Sequence, residues 1–98
     1  MSKEYRVQVV YCPKPGGVTQ SAYLSTWTRQ TIDQVSFAKS WCAGRDARYV
    51  ALINESQVCV DVGFATRGEL HDIEECGAVY YSPRAVRDIY DIAGQDRT

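Results

Sequence analysis

A single histidine, His71, is the chain's whole supply of imidazole. A zinc site needs three or four converging ligands, and a cysteine nucleophile needs a base held by a third group. Either would have to be built around that one ring. The phosphate loop, the dinucleotide fingerprint, the nucleophile elbow and the H-E-x-x-H helix are all missing. No catalytic residue, no metal and no cofactor is expected on these grounds. Long apolar runs are missing too. Nothing approaches the roughly 20 residues that span a bilayer, and the polar start of the chain lacks the form of a secretory signal. A cytoplasmic location without a membrane partner is the corresponding expectation. The four cysteines, at positions 12, 42, 59 and 76, have none of the close spacings of a zinc knuckle or a redox pair. They read as reduced thiols packed like small hydrophobes.

Excess charge of either sign is also lacking, since the net charge is −1. That balance hides a split. Residues 1–48 hold seven Lys or Arg against three acids, and residues 49–98 hold four Arg against nine acids. If the fold separates the halves, the resulting dipole orients a charged partner. If it interleaves them, the dipole largely cancels, and interleaving is the expectation for a chain of this size.

What is present is a clear set of start and stop signals. Three stretches open on a hydroxyl residue, carry apolar residues at helical spacing and close on glycine: Thr31 to Gly44, Thr66 to Gly77 and Ser82 to Gly94. In the first two, Gln34 and Glu69 stand three residues after the opening threonine, the spacing of a reciprocal capping box. In the third, Ser82 is a good N-cap and Pro83 stands where its missing N–H costs nothing. The apolar stripes are Val35, Ala38, Trp41 and Cys42, then Leu70 and Ile73, then Val86, Ile89, Tyr90 and Ala93. Each closing glycine is expected to take the left-handed conformation that ends a helix.

The remaining segments read as strands. Tyr5, Val7, Val9 and Tyr11 alternate with Arg6, Gln8, Val10 and Cys12. Ala22, Leu24 and Thr26 alternate with Tyr23, Ser25 and Trp27. Tyr49–Ile53 and Val58–Val62 flank Asn54-Glu-Ser-Gln57 as a hairpin. Pairing Ile53 with Val58 would place Tyr49, Ala51, Ile53, Val58, Val60 and Val62 on one face. A short strand, Ala78–Tyr81, precedes the last helix. The predicted architecture is a single α+β domain over residues 1–98. It has a mainly antiparallel sheet of four to five strands and about three helices, ordered β-β-α-β-β-α-β-α with the helices on one face. The order of the strands within the sheet is not encoded in these local signals.

The polar cluster Glu69-Leu-His-Asp-Ile-Glu-Glu-Cys76 sets His71 and Glu75 four apart on one helix face, the spacing of two ligands. Without further ligands it reads as a solvated acidic face. The aromatic inventory says more: seven tyrosines, two tryptophans and two phenylalanines in a small domain. Tyr and Trp give rigid contact area with a polar tip and concentrate at interfaces. Trp41 and Tyr90 lie on apolar helix stripes and belong to the core. Tyr23, Trp27 and one of Tyr80 and Tyr81 fall where a partner could meet them.

The function expected from these features is a non-catalytic binding module acting through a protein–protein surface. That surface combines Tyr23, Trp27 and Arg29 with Arg45 and Arg48, and the acidic patch of Asp72, Glu74 and Glu75 is the alternative. Two other readings remain. One is nucleic-acid binding through Arg6, Lys14, Arg29, Arg45 and Arg48 with Tyr23 or Trp27 stacking on a base. The other is a thiol-dependent or metal-dependent activity using His71. In type alone, and by no motif, the chain resembles the small α+β proteins of phages and mobile elements. Among these, anti-CRISPR inhibitors act by occluding a larger host complex.

Overall fold

The computed structural model describes residues 4–13, 19–63, 70, 71, 73 and 81–95. Four strands, β1 (Tyr5–Pro13), β2 (Gln20–Thr26), β3 (Ala47–Ile53) and β4 (Cys59–Val62), form one sheet in the order β2-β1-β3-β4. All three neighbouring pairs are antiparallel. Two helices are described at full length, α1 (Thr31–Gly44) and α2 (Pro83–Gln95). Leu70, His71 and Ile73 are helical as well, within the expected middle helix. The rest of that helix and most of the expected Ala78–Tyr81 strand lie outside the described residues; Tyr81 itself is a buried bend residue. The α+β class and the antiparallel sheet hold.

The helices do not share a face. Val7, Val9, Leu24, Tyr49 and Leu52 pack with Ala38 and Cys42 of α1. Val10, Val50, Ala51, Ile53, Cys59 and Val62 pack with Ala85, Ile89 and Ala93 of α2 and with Leu70 and Ile73. Consecutive strand residues point to opposite faces, so the two clusters lie on opposite sides of the sheet. That explains the unbroken apolar run Tyr49–Ile53, which a one-sided reading of the hairpin left half unexplained. Nor do the two halves of the chain interleave in the sheet. β2 and β1 come from the basic half and lie beside β3 and β4, drawn almost wholly from the acidic half.

The hairpin register also differs from the expected one. Ile53 pairs with Cys59, Leu52 with Asp61 and Ala51 with Val62, with a bulge at Val60. The cause lies in the turn. The Asn54 side-chain oxygen accepts from the Ser56 N–H (2.9 Å) and the Val58 N–H (3.1 Å). This Asx geometry absorbs Val58 into the turn, with Gln57 at φ 64. A second bulge, at Val50 opposite the Val10–Tyr11 step, lets Val50 and Ala51 both reach the α2 side.

The helix ends correct two further expectations. The N-cap of α1 is Gln30, not Thr31, and no side chain caps it. The predicted Thr31–Gln34 box does not form, because Gln34 turns inward and donates to the Thr28 carbonyl (2.9 Å). At the other end Gly44 is the last helical residue, and Asp46 takes the left-handed conformation at φ 52. The start of α2 is as expected. Ser82 Oγ accepts from the Ala85 N–H (3.1 Å), and the same hydroxyl donates to the Gln57 carbonyl (3.1 Å), tying the helix to the hairpin turn.

Two glycines separate close packing from open space. A Cβ on Gly63 would lie 2.9 Å from both the Tyr49 ring and the Tyr49 carbonyl oxygen, whereas one on Gly44 meets nothing within 4 Å. The backbone oxygen has nowhere to go. Gly63→Ala is expected to destabilise the fold by about 1–3 kcal/mol. Gly44→Ala, at a helical position, is expected to stabilise it by about 0.4–1 kcal/mol. Urea denaturation of the two variants beside the parent measures both signs.

Candidate protein-binding surface

The register of β1 and β2 assembles the site. Arg6 lies opposite Ser25 and Gln8 opposite Tyr23, so these four side chains share the sheet face away from α1. The Arg6 guanidinium lies 4.8 Å from the centre of the Tyr23 ring. Tyr5, opposite Thr26, points to the α1 face, and the Arg29 guanidinium covers its ring at 5.5 Å. Trp27 follows directly after β2. Tyr23 is 56% exposed and Trp27 67% exposed. One end of the sheet thus carries three aromatic rings and two arginines, each arginine held against a ring of its own chain.

The backbone under Trp27 is tied down on both sides. Thr26 Oγ1 donates to the Thr28 carbonyl (3.1 Å), and Thr28 Oγ1 accepts from the Gln30 N–H (3.0 Å). The same Thr28 hydroxyl donates to the Asp33 carboxylate (3.4 Å), and Gln34, buried at the foot of α1, donates to the Thr28 carbonyl. The indole is therefore presented by a fixed loop. A half-open cleft of about 230 Å³ lies between that loop and the hairpin turn, lined by Tyr5, Arg29, Thr31, Gln34, Asn54, Glu55 and Ser56. Its polar lining and small size fall short of the apolar pockets of roughly 300–1,000 Å³ that take small organic ligands.

The other predicted residues fall elsewhere. Arg45 is the C-cap residue of α1 and lies 4.0 Å over the Trp41 ring, which meets Tyr11 edge-on at 5.1 Å. Arg48 is half-buried on β3, opposite Cys12 of β1. Tyr5 and Cys12 mark opposite ends of β1, a separation of about 24 Å at strand rise. The structure therefore puts Tyr23, Trp27 and Arg29 on β2 and the loop after it, with Tyr23 and the Arg29–Tyr5 stack on opposite faces of the sheet, and sets Arg45 and Arg48 at the far end of the sheet. Asp72, Glu74 and Glu75 lie outside the described residues, as does Tyr80. Sequence reasoning left Tyr5 and Arg6 out of the protein-binding surface. The signal for them was the pairing of Tyr5 with Thr26 and the diagonal proximity of Arg6 to Tyr23 across β1 and β2, readable once the register is known.

The groups with displaced pKa values are structural. Tyr49 Oη donates to Asp61 at 2.7 Å, and burial, then that bond and the Asp61 charge, push the phenol well above its ordinary range. Burial pushes the Cys59 thiol up to about 12, with the Asp88 and Asp61 charges acting in the same direction. Burial also raises Cys42, against the pull of Arg45. Cys42 and Cys59 are buried free thiols. Held protonated at neutral pH, they are poor nucleophiles. Among the described residues no three His, Cys, Asp or Glu side chains converge as a metal site. No helix among them is long and apolar enough to cross a membrane. Comparison of the chain with protein-family models, curated proteins and solved structures finds no match.

The raised thiol has a measurable consequence. Its ordinary pKa is 9.0 and its folded value about 12, so the unfolded chain loses this proton first as pH rises. The stability it contributes is intact below pH 9 and is lost between pH 9 and about 12, at roughly 1 kcal/mol per pH unit. Denaturation midpoints across that range should fall, and Cys59→Ala should flatten the portion just above pH 9. Tyr49 adds its own decline from about pH 10 upward in both proteins, since its shift has the same sign.

Proposed function

We propose that the protein is a non-catalytic binding module that engages a partner protein through the end of the sheet formed by Tyr5, Arg6, Tyr23, Trp27 and Arg29. The carrying observation is Trp27, 67% exposed on a loop that hydrogen bonds hold in place, with Tyr23, 56% exposed, four residues earlier on β2. An exposed indole normally surrenders contact with apolar surface. Here its position is maintained by bonds from Thr26, Thr28 and, through Thr28, Gln34. Rigid aromatic contact area bordered by arginine has the composition of interface hot spots. The Arg6–Tyr23 and Arg29–Tyr5 stacks order long side chains before binding, which lowers the entropy lost on association. Two guanidinium groups suit a partner patch that carries carboxylates. The small size and single surface fit an inhibitor that occludes a larger assembly, such as a host defence complex met by a phage or mobile element.

In this reading Trp27→Ala and Tyr23→Ala each weaken binding to the protein that co-purifies with the chain by about 30-fold, or ~2 kcal/mol. Both positions are exposed, so each variant should keep its stability within about 0.5 kcal/mol. Titration calorimetry beside thermal melting separates the two effects. Unchanged affinity in both variants rejects this surface. The same rings and arginines could instead serve a nucleic acid. Tight binding of a single-stranded oligonucleotide that falls steeply with salt would replace the protein reading.

A further inference from the structure

β2 is an edge strand of a regular kind. Among the described residues nothing pairs with its outer side, and its seven residues, Gln20-Ser-Ala-Tyr-Leu-Ser-Thr26, pair with β1 without a bulge. The strand holds no charge and no proline. Edge strands of monomeric proteins are normally blunted by just these features, because an open ladder of N–H and C=O groups recruits another strand. We infer that β2 pairs antiparallel with β2 of a second copy of this chain about a two-fold axis at Tyr23, joining two four-stranded sheets into one.

The sequence of the strand is self-complementary in that register. Ala22 meets Leu24 of the second copy and Gln20 meets Thr26, all on the α1 face. Ser21 meets Ser25 and Tyr23 meets Tyr23 on the other face. Apolar residues face apolar ones, hydroxyls face hydroxyls, and an aromatic pair lies on the axis, the combinations that stabilise antiparallel neighbours. No charged residue opposes another.

Two of the exposed large apolar side chains, Tyr23 and Phe37, also lie on the side where this pairing forms. Tyr23 borders the edge on one face of the sheet. On the other face, Trp41 of α1 meets Tyr11 of β1 while Lys39 lies over Tyr49 of β3. The flank of α1 that carries Trp41 therefore faces β2. Phe37, one helical turn earlier, shares that flank and is 46% exposed. A two-fold axis normal to the sheet puts both α1 helices on the same face, with the two Phe37 flanks on the same side of the junction. Trp27 and Arg29 lie beyond the paired segment and stay open to a partner, whereas Tyr23 would be shared by the two contacts. The inference does not depend on that partner.

Sedimentation velocity over a concentration series tests it with the intact protein. The expected result is a reversible monomer–dimer equilibrium. Tyr23→Lys, which sets two like charges directly opposite, should weaken it at least about tenfold. Circular dichroism should show the variant still folded. Register is read by cross-linking under copper–phenanthroline, which takes two electrons and two protons from a pair of thiols. Tyr23→Cys protein should give a disulfide-linked dimer well above the parent's background. Ser21→Cys and Ser25→Cys should give one only when the two variants are mixed. A protein that stays monomeric throughout the series overturns the inference. So does a dimer that survives Tyr23→Lys or one that cross-links equally well from position 21 alone.

Discussion

The burial of β3 on both faces governs the rest of the structure. Val50, Ala51, Leu52 and Ile53 are all fully buried, and the strand contributes to both hydrophobic clusters. A strand of that kind needs a layer on each side, so α1 and α2 must divide between the faces. It also needs a neighbour at each edge, which β1 and β4 provide. The bulges at Val50 and Val60 adjust which side chains reach which layer without breaking the sheet. Gly63 is small for the same reason. Its N–H bonds the Val50 carbonyl at 2.7 Å, and the chain leaves β4 pressed against the Tyr49 ring.

β2 follows from that arrangement as the outermost strand. It sits farthest from the double-sided core, and its outward side chains are exposed from Tyr23 to Trp27. Polar bonds fix this end where apolar burial does not. Thr26, Thr28, Gln34 and Asn54 hold the loop and turn that frame the cleft, and the arginines lean on tyrosines of their own chain. The burial that builds the core also silences its ionisable groups, keeping Cys42, Cys59 and Tyr49 protonated.

Much of the fold was legible in the chain. The first helix occupies the expected stretch, Thr31–Gly44, although its caps differ, and Ser82 with Pro83 opens the second full helix as its capping chemistry requires. The alternation of β2 separates buried Leu24 and Thr26 from exposed Tyr23 and Ser25 as read. The failures share a cause. Gln34 was assigned to a local box and instead serves a loop carbonyl six residues back. Ile53 was given Val58 because the pull of the Asn54 side chain on the turn does not show in an apolar pattern. The candidate surface was half legible. Tyr23, Trp27 and Arg29 follow one another along β2 and the loop after it, though Tyr23 and the Arg29–Tyr5 stack take opposite faces, whereas Arg45 and Arg48 are carried to the opposite end by the antiparallel pairing of β1 with β3.

By itself the sequence determined roughly where the two full helices and the four strands lie, and which strand residues alternate inward. Those properties are set by capping groups and periodicities that act over a few residues. Only the tertiary structure decided which helix covers which face, that β1 rather than β2 lies beside β3, and which arginines meet which rings. Those outcomes depend on burying both sides of one strand at once. That condition is satisfied by contacts between distant segments, and no local pattern in the chain carries it.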